Sequence, residues 1–142
     1  MAINFIDIDH HAVIGARRAV KKWIEQAIIE EGYTLGEITI AFCSDSYITA
    51  ENVRFLGHDY ATDIITFDNS TDKIASADLL ISVETVHSNA QRFEVSPERE
   101  MLRVIVHGVL HIIGYDDTNE EKQAKMSERE DYYLSKFDSL KK

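Results

Sequence analysis

Residues 96–117 read Ser96-Pro97-Glu98-Arg99-Glu100-Met101-Leu102-Arg103-Val104-Ile105-Val106-His107-Gly108-Val109-Leu110-His111-Ile112-Ile113-Gly114-Tyr115-Asp116-Asp117. The opening is a strong helix start, with serine as N-cap, proline at the first helical position and acidic residues in the first turn. The apolar run over residues 102–113 continues that helix. It is too short to span a bilayer and is interrupted by two histidines. Gly114 stops it, because glycine takes the left-handed conformation that ends a helix and turns the chain sharply. A central helix carrying an HxxxH pair is therefore the element around which the fold is built.

Upstream, residues 12–31 predict an amphipathic helix. Ala16, Ala19, Val20, Trp23, Ile24, Ala27 and Ile28 recur at helical spacing, opposite Arg17, Arg18, Lys21, Lys22 and Glu25, with Gly32 as the stop. Residues 37–43 alternate and are rich in β-branched side chains, a strand signature. Residues 46–55 predict a short helix capped by Ser44 or Asp45. Two further strands are expected over residues 63–68 and 78–83, then a helix from residue 82 or 83 to about 93. Downstream of the quoted segment, residues 120–137 form the last helix. The order αβαββααα indicates an α+β or α/β sandwich on a small sheet, and the fold expected is α+β, a small mixed sheet of about four strands packed with about five helices.

The 142 residues suit one domain, spanning 1–142, with no internal repeat, low-complexity segment or linker. The N-terminal segment lacks a basic start, an apolar stretch and a small-residue cleavage site, so no secretory signal is expected. Cys43 is the single cysteine, which excludes an internal disulfide and suits a reducing compartment. The cytoplasm is the expected location, with no membrane association. A net charge of −10 argues against non-specific coating of DNA or RNA, and no DNA partner is expected, although a local basic groove is compatible with it.

Chemistry concentrates in His107, His111 and the turn after Gly114. Residues four apart on a helix share a face, so both imidazoles can meet one ion. The turn returns Asp116 or Asp117 towards that face as a third ligand. Two imidazoles and a carboxylate suit zinc, and three protein ligands leave a position open for water or substrate, as in catalytic sites. A lone HxxxH pair arises often by chance; the added glycine and aspartate, and the cost of burying two histidines in an apolar helix without partners, favour a metal site. The spacing invites comparison with metzincin peptidases, whose glutamate after the first histidine is the general base. Here that position is Gly108, which disfavours a peptidase.

The segment HGVLHIIGYDD over residues 107–117 resembles the hallmark H-G-x-L-H-x-x-G-Y-D-H of the YbeY family of metal-dependent endoribonucleases, differing at its last position. Asn52, the stretch Thr62-Asp63-Ile64-Ile65-Thr66-Phe67 and the stretch Asp78-Leu79-Leu80-Ile81-Ser82 resemble further family motifs. The resemblance covers nearly the whole chain. It implies cleavage of single-stranded RNA, with ribosomal RNA and the small ribosomal subunit as partners, in maturation of the small-subunit rRNA 3′ end and in ribosome quality control. It also implies one Zn²⁺ ion on His107, His111 and Asp117. Aspartate stands where the family has a third histidine, and an anionic ligand should make bound water somewhat less acidic.

The family's loop arginine aligns with Leu56, and Arg54 two residues earlier is the candidate to supply a guanidinium to the transition state. Asp116 and His58 are candidate general bases, although residues of either kind are more often capping or surface residues. His10, His11 and His87 are expected to face solvent. The cluster Arg17, Arg18, Lys21 and Lys22 reads as a solvated helix face rather than an RNA contact. Two other functions compete: a zinc-dependent hydrolase of another substrate, and a ribosome-binding protein whose zinc is structural.

Overall fold

The computed structural model describes residues 2–11, 14–57 and 62–141. The elements run β1 (Ala2–Asp7), α1 (Arg17–Glu30), β2 (Thr34–Cys43), α2 (Asp45–Leu56), β3 (Ile64–Asp68), β4 (Ile74–Ser82), α3 (Val83–Arg92), α4 (Pro97–Ile112) and α5 (Glu120–Lys141). The strands form one mixed sheet in the order β1-β2-β4-β3. β1 and β4 both run parallel to β2, whereas β3 pairs antiparallel with β4 at the far edge. The expected α+β architecture, four strands and five helices, is what the described residues form.

The sheet is covered unequally. Ile38, Ile40 and Phe42 of β2 and Leu79 and Ile81 of β4 point to one face, where they bury against α1, α4 and α5. The opposite face carries a smaller cluster, Ala41, Cys43, Ile65 and Leu80, closed by Ile48 of α2. Strand alternation places successive side chains on opposite faces, so one strand feeds both clusters. Burial pushes the Cys43 thiol up to about 12, which leaves it an inert core residue.

α4 lies in the middle of the main layer, touching β3, β4, α1, α3 and α5. Ser96 accepts a hydrogen bond from the Arg99 amide and Pro97 occupies the first turn, as the sequence implies. Close approach to the sheet explains Gly108. A Cβ there would lie 2.6 Å from Ile64 Cδ1 and 3.3 Å from both Leu79 methyls. Gly114, at φ 110°, then turns the chain. The Tyr115 amide bonds the Leu110 carbonyl and the Gly114 amide bonds that of His111, the paired bonds of a Schellman ending.

Two local expectations are corrected. The first helix starts at Arg17 rather than near residue 12, because Ala16 adopts a left-handed backbone, φ 50°, just before it; residues 12 and 13 lie outside the described ones. Residues 2–7 form an edge strand that the sequence order omits. Only Ile3 in that stretch is fully buried, while Ile6 is largely exposed, so its alternation is weak. The other boundaries move by a few residues, chiefly because β2 and β4 begin earlier than their apolar alternation does.

Candidate metal centre

His107 and His111 leave α4 from one face, with ring centroids 4.8 Å apart and ring planes at 72°. The turn after Gly114 brings Asp117 across their outer edges. Its Oδ2 lies 3.6 Å from His107 Nε2 and its Oδ1 lies 3.7 Å from His111 Nε2. One ligand atom from each of the three residues falls within 4.8 Å of the others, a spacing that can hold a metal ion. The donor set fits zinc: two imidazoles present Nε2 and a carboxylate completes three ligands. All three side chains are only partly buried, so the centre opens to solvent.

A second layer fixes this arrangement. His107 Nδ1 lies 2.6 Å from Oε2 of Glu130, a carboxylate on α5 with 8% of its side chain exposed. Glu130 Oε1 accepts in turn from Arg103, 3.0 Å away, and Arg103 also reaches Asp131 at 3.0 Å. Burial lowers the His107 imidazole, but the Glu130 hydrogen bond and the charges of Glu130, Asp63 and Asp117 outweigh it and hold it above its ordinary value. With Nδ1 committed to Glu130, Nε2 is the nitrogen turned to Asp117.

Asp63, immediately before β3, completes the surroundings. It lines two clefts that meet at His107 and Asp117, one of about 370 Å³ along α4 and one of about 520 Å³ along the β3 edge. Burial holds its carboxyl above the usual carboxylate range, against the pull of His107. Among the described residues it forms no ion pair.

The structure brings three of the four candidate site residues together and leaves the fourth apart. Arg54 is an exposed residue of α2, 4.0 Å from Glu51 and 5.0 Å over the ring of Phe55, and it lines neither cleft. Of the candidate bases, Asp116 faces away. Its carboxylate accepts from the Thr118 amide and hydroxyl and pairs with Lys122 at 3.3 Å, and the Thr118 bonds hold it below its ordinary value. His58 lies outside the described residues, and so does the side chain of Leu56. His10, His11 and His87 are exposed, as expected. Arg17 and Lys21 lie over the ring of Phe5, 5.5 and 5.7 Å from its centroid, which suits the solvated-face reading of that cluster.

Glu100, Arg103 and Glu130 are site neighbours that reading by motif overlooks, and Asp63, quoted within a stretch that resembles a family motif, is a fourth that it assigns no role. Glu100, Arg103 and Glu130 carried a signal. Glu100, Arg103, His107 and His111 follow helical spacing, a polar stripe on an otherwise apolar helix. Glu130 likewise interrupts the buried stripe of Met126, Tyr133, Leu134 and Phe137 on α5.

Comparison with known proteins agrees with this geometry. The family model described as Endoribonuclease YbeY matches residues 5–138. An Endoribonuclease YbeY of Porphyromonas gingivalis is 45% identical over 118 residues, which cover 83% of this chain and 78% of the relative. That of Christiangramia forsetii is 36% identical over 135 residues, covering 95% of this chain and 94% of the relative. Among solved structures, the solution structure of TM1509 from Thermotoga maritima matches with a TM-score of 0.68 at 23% identity, over 95% of this chain and 88% of that one. At that identity the likeness concerns the fold.

Proposed function

The chain belongs to the YbeY endoribonuclease family, and from that premise we propose that it is a zinc-dependent endoribonuclease acting on single-stranded RNA. The substrate in this reading is ribosomal RNA of the small subunit, at its 3′ end, and the setting is ribosome maturation and quality control in the cytoplasm. His107, His111 and Asp117 hold one Zn²⁺. The observation that carries the reading is the Asp117 carboxylate, whose two oxygens reach the Nε2 atoms of both histidines at 3.6 and 3.7 Å.

When bound, zinc supplies Lewis-acid polarisation of a phosphate oxygen and lowers the pKa of water. The chain's own residues do the rest. Glu130 and Arg103 hold the His107 ring so that Nε2 faces the cleft. Asp63, beside the trio and in no ion pair among the described residues, is placed to accept a proton there. Arg54 would need to approach from α2, and its pairing with Glu51 and Phe55 leaves it the least supported member of the site.

Two features favour this reading over its competitors. A structural zinc is enclosed by four protein ligands, whereas this trio opens into two clefts. A peptidase base after the first histidine has no space, since Gly108 faces Ile64 and Leu79 rather than the cleft. Replacing His111 with alanine tests the reading. Loss of RNA cleavage with the fold retained supports it; unfolding on removal of the metal points to a structural ion instead.

A further inference from the structure

The cleft along α4 runs past the metal centre to the end of α3, where its lining changes in character. Near His107 and Asp117 its walls are acidic. At the other end stand Arg92, in the last turn of α3, and Phe93, which caps that helix. Phe93 is 52% exposed, an unusual place for a large aromatic ring, and the Arg92 guanidinium lies 4.9 Å from its centroid. The two arginines of the cleft differ. Arg103 is committed to Glu130 and Asp131, whereas Arg92 has no carboxylate partner among the described residues. The cleft wall also includes Glu100, 4% exposed, whose Oε1 has no hydrogen-bond partner among the described residues, so a polar atom there is left unsatisfied.

A free cation beside an exposed aromatic face is the combination that holds single-stranded nucleic acid, the ring stacking on a base and the guanidinium meeting a phosphate. The amide of Asn89 and the Oε1 of Gln123, whose Nε2 already donates to the Asp117 carbonyl at 3.1 Å, also line the cleft and offer hydrogen bonds to a base edge. At about 370 Å³ the cleft falls within the roughly 300–1,000 Å³ of small-ligand sites. In a chain of net charge −10, an arginine without a carboxylate partner among the described residues, lining the same cleft as the metal centre, gives the phosphate backbone a local anchor.

We propose that this cleft is a nucleotide subsite, in which Phe93 stacks on a base to one side of the cleaved bond and Arg92 binds the adjoining phosphate. The subsite rests on the endoribonuclease reading and gives it a direction, with RNA laid along α4 from the metal centre towards α3.

The test is equilibrium binding of a short, labelled, phosphorothioate-linked single-stranded RNA to the metal-loaded protein over a range of salt concentrations, with cleavage of ordinary RNA measured in parallel. Phe93→Ala is expected to weaken binding about 5- to 100-fold, as loss of one stacked base does, and Phe93→Tyr to restore it. Arg92→Gln is expected to flatten the slope of log affinity against log salt by about 0.7, the share of one phosphate contact on a single strand. Metal content and circular dichroism should match the unmodified chain in all three variants. If the unmodified chain binds and cleaves RNA while the alanine and glutamine variants bind it as well as it does, the subsite is wrong and the endoribonuclease reading stands. If the unmodified chain neither binds nor cleaves RNA, that reading fails and the subsite falls with it. Weakened binding accompanied by lost metal or lost helicity would make these residues structural and overturn the proposal.

Discussion

His107 and Glu130 meet across the α4–α5 interface at 2.6 Å, imidazole Nδ1 to carboxylate Oε2. The contact couples the last helix to the candidate metal centre, because it decides which ring nitrogen faces Asp117. Carboxylate–histidine pairs of this kind orient a metal ligand and raise its basicity, and losing one typically costs 10- to 100-fold in metal affinity.

Glu130→Ala should therefore weaken zinc binding by about 10- to 100-fold. Glu130→Gln, which still offers an oxygen to Nδ1–H, should lose less. Competition against a chromophoric chelator reads both values. Wild-type affinity in the alanine variant would show that Glu130 serves only the helix interface.

Asp117 spans both histidines, so Asp117→Ala should leave two ligands and release the ion on gel filtration. Asp117→His, which places the family's usual residue there, should keep about one ion per chain, since imidazole and carboxylate are both zinc ligands. Bound metal per chain after desalting decides this. Full retention by the alanine variant would remove Asp117 from the ligand set.

Gly108 is fixed by packing. Gly108→Glu, which supplies the residue a metzincin carries at this place, would drive a side chain into Ile64 and Leu79. Overpacking and a buried carboxylate together should destabilise the fold by about 3 kcal/mol or more. Chemical denaturation measures it. An unchanged midpoint would mean that α4 can lift away from the sheet at little cost.

These particulars show what could be read from the chain before its fold was known. The HxxxH spacing, the glycine stop and the aspartate beyond it are local in sequence, and their geometry follows from helix periodicity and one turn. The stripe of Glu100 and Arg103 ahead of the histidines, and Glu130 on the apolar side of α5, were equally local but match no ligand pattern. Asp63 lies in a stretch that resembles a family motif, but nothing local to it marks it as a neighbour of the histidines. Its place between two clefts arises only when α4 packs beside β3, a contact between segments far apart in the chain. The edge strand β1 escaped for a similar reason, since its pairing with β2 rather than its own alternation makes it a strand.

A pH dependence follows from Glu31 at the end of α1. Burial raises its carboxyl, but hydrogen bonds from Tyr133, from Arg129 at 2.6 Å and from Tyr115 at 2.8 Å outweigh it and hold it below its ordinary value. A carboxylate lowered on folding contributes stability above its unfolded pKa, and that contribution is lost as pH falls through the folded value. Glu31→Gln should thus cost about 1–2 kcal/mol near neutral pH, from charge-assisted hydrogen bonds lost between α1 and α5. The gap between the two proteins should close as the pH drops below about 4, where the wild-type carboxylate is itself being protonated. Urea unfolding at pH 7 and pH 3 checks the sign. A gap that widened in acid would contradict it.

The central claim, a catalytic metal held by His107, His111 and Asp117, is tested most directly by one paired measurement. Metal per chain is determined by mass spectrometry, and cleavage of single-stranded RNA is assayed, for the unmodified chain and for His111→Ala at equal helicity. The expected result is about one zinc per chain with RNA cleavage in the first, and loss of both in the second with the fold intact. A folded, metal-free unmodified chain, or one whose cleavage survives in His111→Ala, would contradict the account.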